Sequence, residues 1–136
     1  TDIYRTFEDR HSFFRTYTLK LADWAGLAKE SRILDVGCGN GVSCVALSDA
    51  YDAKVYGVDL SEAMIADGKQ RVGGRKIYLF VGDGENLDTL IEDRGFDAVM
   101  YNAAIFLFPR PEEAFAQAAR MLKPGGIIAF SFYPRV

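Results

Sequence analysis

Short runs of apolar residues alternate along this chain with segments whose apolar residues recur at helical spacing. Each run is nearly continuous in apolar character, which is typical of strands buried on both faces of a parallel sheet. Strands that alternate with helices predict such a sheet, in the α/β class. The five runs that we interpret as strands are residues 32–36, 54–58, 76–81, 96–101 and 126–132.

The helices between these strands carry recognisable end signals. Ser61 is a residue type that caps helix N-termini, and the helix that it begins is expected to stop at the two glycines of 73–74. Pro111, followed by two glutamates, gives another helix a proline and an acidic first turn. We expect that helix to end at the Lys-Pro-Gly sequence of 123–125, a cation followed by helix breakers.

The segment ahead of the first strand has a helical pattern. Its large apolar residues predict one or two amphipathic helices over residues 3–28, and packing of that face on the sheet accounts for most of them. We therefore divide the chain into an N-terminal helical cap, residues 1–31, and a sheet domain, residues 32–136. The residues at helical spacing are Phe7, Phe14, Tyr17, Leu21 and Trp24.

The junction after the first strand carries the strongest indication of a ligand. The apolar run ending at Val36 leads directly into a turn with glycines at 37, 39 and 41. Glycine has no Cβ, so the backbone there can adopt positive φ and let a ligand approach the main chain closely. The N–H groups at the start of the next helix would face that ligand.

The spacing of the glycines distinguishes between two kinds of ligand. A dinucleotide-binding turn has its third glycine at a position that is Val42 in this chain. The pattern here is G-x-G-x-G, and Asp35 precedes it by two residues. A carboxylate at this point is unsuited to a pyrophosphate, so the turn favours a cofactor with a cationic end.

Composition narrows the functional classes. The 136 residues suffice for one domain with a sizeable core. A formal net charge of −3 gives no basic field for nucleic acid or an anionic membrane, and no segment has the roughly 20 apolar residues of a membrane span. We therefore expect a cytoplasmic protein that binds neither. Cys38 and Cys44 lack the further ligands of a zinc site, so we interpret them as small buried thiols and expect no metal.

Four segments, in their order along the chain, resemble class I S-adenosylmethionine-dependent methyltransferases of the small-molecule type. They are the acidic glycine turn and residues 57–61, 81–85 and 121–130. The family fold has seven strands in the order 3-2-1-4-5-7-6. The resemblance therefore implies a Rossmann-like, three-layer α/β/α fold with the order 3-2-1-4-5. Because the chain ends just after the fifth predicted strand, we expect a truncated fold without the last two strands.

The resemblance also assigns contacts to S-adenosylmethionine at the carboxyl ends of the strands, where open α/β sheets bind ligands. It places Gly37 and Gly39 beneath the methionine part, with Asp35 accepting from the ammonium group directly or through water. Asp59, 20 residues past Gly39, would accept from both ribose hydroxyls. A carboxylate favoured only by the dipole of the next helix is the alternative for Asp59.

Further residues are assigned to the adenine and to the methyl-transfer face. Leu60 and Met64 would flank the adenine ring, and Asp83 would accept from its exocyclic amine with the Gly84 and Glu85 amides near the ring. Turn chemistry alone would also explain an aspartate between two glycines. Asn102, after the fourth strand, would bond the methionine end of the cofactor or only cap the turn.

The sequence assigns no catalytic residue. Methyl transfer depends chiefly on alignment of the acceptor and exclusion of water, because the cofactor brings the electrophile. His11, the single histidine, is the candidate base if the acceptor must lose a proton, and an incidental surface histidine is the alternative. Tyr4 and Phe7 lie with it near the free end of the N-terminal helix. Residues 105–109 are nearly all apolar, which indicates an apolar acceptor pocket or core packing.

Alternatives stay open at this point. One is a nicotinamide-dependent oxidoreductase, against which Val42 and Asp83 both argue. Others are a cofactor-binding module without activity of its own and an aminopropyl transferase. For the leading hypothesis the partner is a small-molecule methyl acceptor. The last strand would also have an unpaired apolar edge, which promotes association. We therefore predict a homodimer or aggregation through this edge, unless the N-terminal segment folds over to cover it.

Overall fold

A computed structural model describes residues 15–102 and 109–131 of the chain. A 3-10 turn, Gly84–Asn86, lies between the third strand and the fourth helix. In chain order the elements are α1 (15–25), β1 (Arg32–Val36), α2 (Val42–Tyr51), β2 (Lys54–Asp59), α3 (Glu62–Arg71), β3 (Ile77–Val81), α4 (Leu87–Leu90), β4 (Phe96–Asn102), α5 (Pro111–Met121) and β5 (Leu122–Ser131).

The five strands form one parallel sheet in the order β3-β2-β1-β4-β5, which confirms the expected order. Val36, at the end of β1, lies beside Val58 of β2 on one side and Tyr101 of β4 on the other. The chain leaves β1 towards β2 and later returns to β4 on the opposite side. A reversal of this kind opens a crevice at the carboxyl ends of the strands.

Alternation along the strands divides the core between the two faces of the sheet. Ile33 packs in a cluster with residues of α1, α2 and α3, whereas its neighbour Leu34 packs in a cluster with residues of α4 and α5. The expected three-layer α/β/α arrangement is therefore confirmed. Residues that the helices contribute include Leu21, Leu47 and Ile65 on the first face and Leu87, Ala118 and Met121 on the second.

Most of the predicted helix signals are found in the structure. The Ser61 hydroxyl accepts from the Met64 N–H (3.2 Å), so Ser61 caps α3 as predicted. Pro111 occupies the first turn of α5 with the two glutamates beside it. The C-cap of α3 is Val72, and Gly73 follows it with φ +57°, so α3 ends at the glycine pair as predicted. The predicted end of α5 is wrong: α5 stops at Met121, because Leu122 already has extended backbone angles (φ −82°, ψ 150°).

The Lys-Pro-Gly sequence lies inside β5 and does not end a helix. Phe96 of β4 pairs with Leu122, and Ala98 pairs with Ile127, so the breakers form a bulge on β5. Gly125 in this bulge has φ +82°. Helix α5 can pass directly into β5 because the bulge takes up the extra residues.

The first helix packs on the sheet, but one residue departs from the predicted face. Leu21 and Ala22 of α1 are buried in the first core cluster, whereas the Trp24 side chain is 81% exposed. The expectation that Trp24 shares the packed face is therefore wrong.

A hydrogen bond ties α2 to α1: the Tyr51 hydroxyl donates to Asp23. Loss of solvent around the phenol raises the pKa of Tyr51 to about 12. Tyr4, Phe7, His11 and Phe14 lie outside the described residues.

No helix in residues 15–102 and 109–131 combines the length and the apolar character needed to cross a membrane. Within the same ranges, no group of three or more histidine, cysteine, aspartate or glutamate residues is arranged to hold a metal ion.

Candidate cofactor site

The glycine turn after β1 folds over the end of β2. Both the Gly37 and the Cys38 N–H groups donate to the Val58 carbonyl, at 2.8 and 3.0 Å. The three glycines all adopt positive φ, with values of +78°, +58° and +84° at 37, 39 and 41. The last of them is the N-cap of α2 and, because it has no side chain, makes no side-chain hydrogen bond to that helix.

Gly39 differs in its surroundings from the glycines that are needed for packing. A Cβ built on Gly39 would meet no atom of residues 15–102 and 109–131 within 4 Å. A Cβ on Gly57 would lie 2.8 Å from the Cys38 sulfur, and one on Gly68 would lie 2.8 Å from the Leu79 side chain. Glycine at 39 is therefore explained by its backbone conformation and by the open space above it, where a ligand would lie.

Asp59 fastens this turn to the end of β2. Its Oδ2 accepts from the Gly39 N–H (2.8 Å), and its Oδ1 accepts from the Ser61 N–H (2.9 Å). Its own carbonyl accepts from the Gly82 N–H (2.9 Å), which brings the end of β3 to the same point. Two residues predicted from different segments, Gly39 and Asp59, are thus in direct contact.

Asp35 lies beneath the turn and not at its surface. Its side chain is 0% exposed, and its Oδ2 accepts from the Ser43 hydroxyl (2.5 Å) in the first turn of α2. A carboxylate is stabilised at this end of a helix by the helix dipole. Asp35 has no exposed surface, and its contact with a ligand ammonium, direct or through water, stays a prediction.

The loop after β3 brings further predicted residues to the same edge of the sheet. Asp83 Oδ1 accepts from the Glu85 N–H (2.9 Å) and so caps the 3-10 turn. Gly84 is buried in that turn. Asp83 therefore caps a turn, which was the alternative to its predicted contact with the adenine. Its second oxygen is the group that would contact an adenine amine.

Apolar side chains lie exposed beside these polar groups. Leu60 is 69% exposed and Met64 is 47% exposed, although both are large apolar residues. Exposed apolar side chains next to oriented polar groups are a common feature of ligand sites. Asn102 ends β4, and its side chain lies outside the described part, as do residues 103–108.

Two side chains that the sequence did not single out also belong to this edge. The Glu85 carboxylate is buried and accepts from the Arg110 N–H (3.1 Å), and the Arg110 guanidinium lies 3.5 Å from it. Ser43 holds Asp35, as described above. Arg110 lies 25 residues from Glu85, and Asp35 lies eight residues from Ser43, so no local sequence pattern reveals these contacts.

The charge at this edge is mainly negative. Carboxylates from Asp35, Asp59, Asp83 and Glu85 lie at or just after the ends of three adjacent strands, and the Arg110 guanidinium pairs with Glu85. A cationic ligand would be attracted to this arrangement and a pyrophosphate repelled.

The two cysteines lie under the turn as small buried thiols, which confirms that expectation. The hydrogen bond between their sulfurs, burial and the nearby Asp35 charge together raise the pKa of the Cys44 thiol well above its usual value. Cys44 is therefore held as a neutral, unreactive thiol.

A hollow of about 580 Å³ elsewhere on the molecule contains none of the predicted site residues. It is bordered by α1, α2, α3 and the turn that follows α3. Its charged residues are three arginines and one aspartate, a balance opposite to that of the strand ends. The residues lining it are Arg15, Val42, Val45, Ala46, Asp49, Arg71 and Arg75.

Comparisons with known proteins agree on one family. The family described as "Methyltransferase domain" matches residues 34–130. A demethylmenaquinone methyltransferase of Bacillus mycoides is 34% identical over 122 residues, which is 86% of this chain and 49% of the relative. A 27-O-demethylrifamycin SV methyltransferase of Amycolatopsis mediterranei is 30% identical over 117 residues, 82% of this chain and 42% of the relative. The chain thus spans about half the length of the curated relatives it matches.

A solved structure gives the same result. Phosphoethanolamine N-methyltransferase 2 of Haemonchus contortus, in complex with S-adenosyl-L-methionine, superposes with a TM-score of 0.77 at 26% identity. The match covers 86% of this chain and 28% of that protein.

Gly39→Val tests whether the turn is a ligand cradle. Gly73 supplies the matched control, because its φ of +57° is close to that of Gly39 and a Cβ there would meet only the Arg75 side-chain tip at 3.6 Å. Valine at either position should cost about 1–3 kcal/mol of unfolding free energy through backbone strain. Only Gly39→Val should abolish binding of S-adenosylhomocysteine, measured by calorimetry. Equal binding by the two variants would mean that the turn is structural.

Proposed function

The chain belongs to the methyltransferase domain family, and on that premise we propose that it binds S-adenosylmethionine at the carboxyl ends of β1, β2 and β3 and transfers its methyl group to a small molecule. One relative is named as a demethylmenaquinone methyltransferase and another as a 27-O-demethylrifamycin SV methyltransferase, and both names support a small-molecule acceptor. Because the chain spans about half of each, the activity and the acceptor are proposals for the whole protein.

The observation that carries the proposal is the Asp59 bridge between the glycine turn and the end of β2. It places a carboxylate directly beside the open space above Gly39. A carboxylate fixed there can accept from ribose hydroxyls and would repel a 2′-phosphate. The surrounding negative charge suits the ammonium and sulfonium groups of S-adenosylmethionine and opposes the pyrophosphate of NAD.

Each part of the cofactor then has a matching group in this chain. Leu60 and Met64 present exposed apolar surface for the adenine, and Asp83 has an oxygen for its amine. Asp35 acts from beneath: it orients the first turn of α2, and its charge favours a cation above the turn. When bound, the cofactor supplies a methyl group activated by the sulfonium, so these residues need only bind it, orient it and exclude water.

We assign no catalytic base. Asp59, Asp83 and Glu85 each accept from a backbone N–H group and so hold the turns of the site in place. The roles predicted for His11 and Asn102 remain predictions. The division into an N-terminal cap and a sheet domain also remains a prediction. A cytoplasmic location and the absence of nucleic-acid binding are likewise predictions from composition.

Calorimetric titration with S-adenosylhomocysteine and with NAD tests the proposal. We expect saturable binding of S-adenosylhomocysteine and none of NAD. Asp59→Ala should weaken binding by about 1.5–3 kcal/mol, the value of hydrogen bonds to a charged group. Asp67→Ala removes an exposed aspartate of α3 paired with Arg71 and serves as the control for loss of charge.

Thermal unfolding of both variants accompanies the titration, because Asp59 also holds Gly39 and Ser61. A folded Asp59→Ala protein with unchanged affinity would remove the ribose role. Binding of NAD in place of S-adenosylhomocysteine would overturn the proposal and favour the oxidoreductase alternative. Binding without methylation of any acceptor by the full-length protein would favour the module without activity.

Association through β5 is a separate prediction. Among the described residues β5 pairs only with β4, and its Ile127 side chain is 37% exposed. Ile127→Lys should therefore reduce any concentration-dependent association of this chain in light scattering. Ala129 would be unsuitable for this test because it is buried. Ala116→Lys, on the exposed surface of α5, is the control. A chain that stays monomeric at all concentrations would contradict the prediction.

A further inference from the structure

Glu85 is a buried acidic residue for which the proposed function has no direct use. Its side chain is 7% exposed and sits in the 3-10 turn after β3. Burial of a carboxylate is costly unless hydrogen bonds or an opposite charge compensate. The contacts that compensate it here join two segments that are 25 residues apart.

The Glu85 carboxylate is held by Arg110, the residue that precedes α5. Glu85 Oε1 accepts from the Arg110 N–H (3.1 Å), and Oε2 lies 3.5 Å from Arg110 Nη2. Arg110 is the residue before Pro111, and it has no side-chain cap of its own. Glu85 therefore supplies, from the other segment, the acceptor and the negative charge that favour the start of a helix.

The backbone contact is the stronger of the two. The Arg110 side chain is 62% exposed and also lies 3.5 Å from the Glu113 carboxylate, so its ion pair with Glu85 is well solvated. Exposed ion pairs contribute little. The N–H bond, in contrast, is made to a buried carboxylate and fixes the distance between the turn and α5.

The other end of Glu85 is fixed by Asp83. The Glu85 N–H donates to Asp83 Oδ1 (2.9 Å), so the same residue that is anchored on α5 also orients the Asp83 carboxylate. One oxygen of Asp83 is occupied in this way. The position of the other depends on where the 3-10 turn is held.

We propose that Glu85 is a positioning residue that anchors the 3-10 turn on the start of α5 and so sets the Asp83 carboxylate for recognition of the adenine amine. The inference rests on the proposed function, since it assumes that the adenine binds at this turn. The expected consequence is ligand selectivity: a purine that carries an exocyclic amine should bind more tightly than one that carries an oxygen at that position.

The test compares S-adenosylhomocysteine with S-inosylhomocysteine, which has an oxygen in place of the amine. We expect the wild-type chain to prefer the adenine compound. Glu85→Ala should weaken S-adenosylhomocysteine binding about tenfold, the low end of the range for a hydrogen bond to a charged group, and should leave binding of the inosine compound nearly unchanged. Glu85→Gln keeps an acceptor for the Arg110 N–H, so its selectivity should lie between those of wild type and Glu85→Ala.

Glu113→Gln is the matched control, because it removes the exposed carboxylate that lies near the same arginine. It should leave both affinities unchanged. If Glu85→Ala does not fold, Glu85→Gln decides alone: a selectivity equal to that of wild type overturns the inference. Equal weakening of both ligands by the Glu85 variants would show a merely structural role and also overturn it.

Failure of the proposed function gives a different result. A wild-type chain that binds neither nucleoside compound would remove the cofactor site itself. A wild-type chain that binds both equally well would leave the cofactor site in place and overturn the role of Glu85 in purine selectivity.

Discussion

The Asp59 carboxylate is the contact on which the rest of the site depends. Its two oxygens hold the Gly39 N–H of the glycine turn and the Ser61 N–H at the start of α3, and its carbonyl holds Gly82 after β3. Hydrogen bonds to a charged acceptor are about twice as strong as neutral ones. A turn with positive φ at three glycines is conformationally free in the unfolded chain, and these bonds help to fix it in a single shape. The strand order supplies the rest, because β1, β2 and β3 are neighbours and end at the same edge.

The sign of the charge at this edge then limits what can bind. Asp35 is buried beneath the turn, Asp59 lies beside it, and Asp83 follows the next strand. Each carboxylate accepts a hydrogen bond from an N–H or hydroxyl donor, which fixes its position. A fixed negative field suits a cationic cofactor. The hollow beside α2, with its three arginines, has the opposite character and is poorly suited to a sulfonium.

Much of this fold can be predicted from the sequence, because strands buried on both faces are continuous apolar runs and Ser61 and Pro111 are local signals. The β5 bulge could not be predicted, because a Lys-Pro-Gly sequence such as Lys123 to Gly125 is compatible with either a helix end or a bulge. Only pairing with β4 distinguishes the two. The motif located Asp59 and Gly39, but the burial of Asp35 depends on Ser43 and the packing of α2. Glu85 was missed as an anchor because its partner is brought close only by the fold.

Amide chemical-shift mapping during titration with S-adenosylhomocysteine tests the central claim most directly, because backbone N–H groups of the glycine turn, the start of α3 and the loop after β3 all lie at the proposed site. The account predicts saturable shifts concentrated at Gly37, Gly39, Ser61 and residues 83–85, with little change at Asp49 and Arg75 in the hollow. Shifts centred on the hollow, or no saturable shifts at the glycine turn, would contradict the claim that the carboxyl ends of β1, β2 and β3 form the cofactor site.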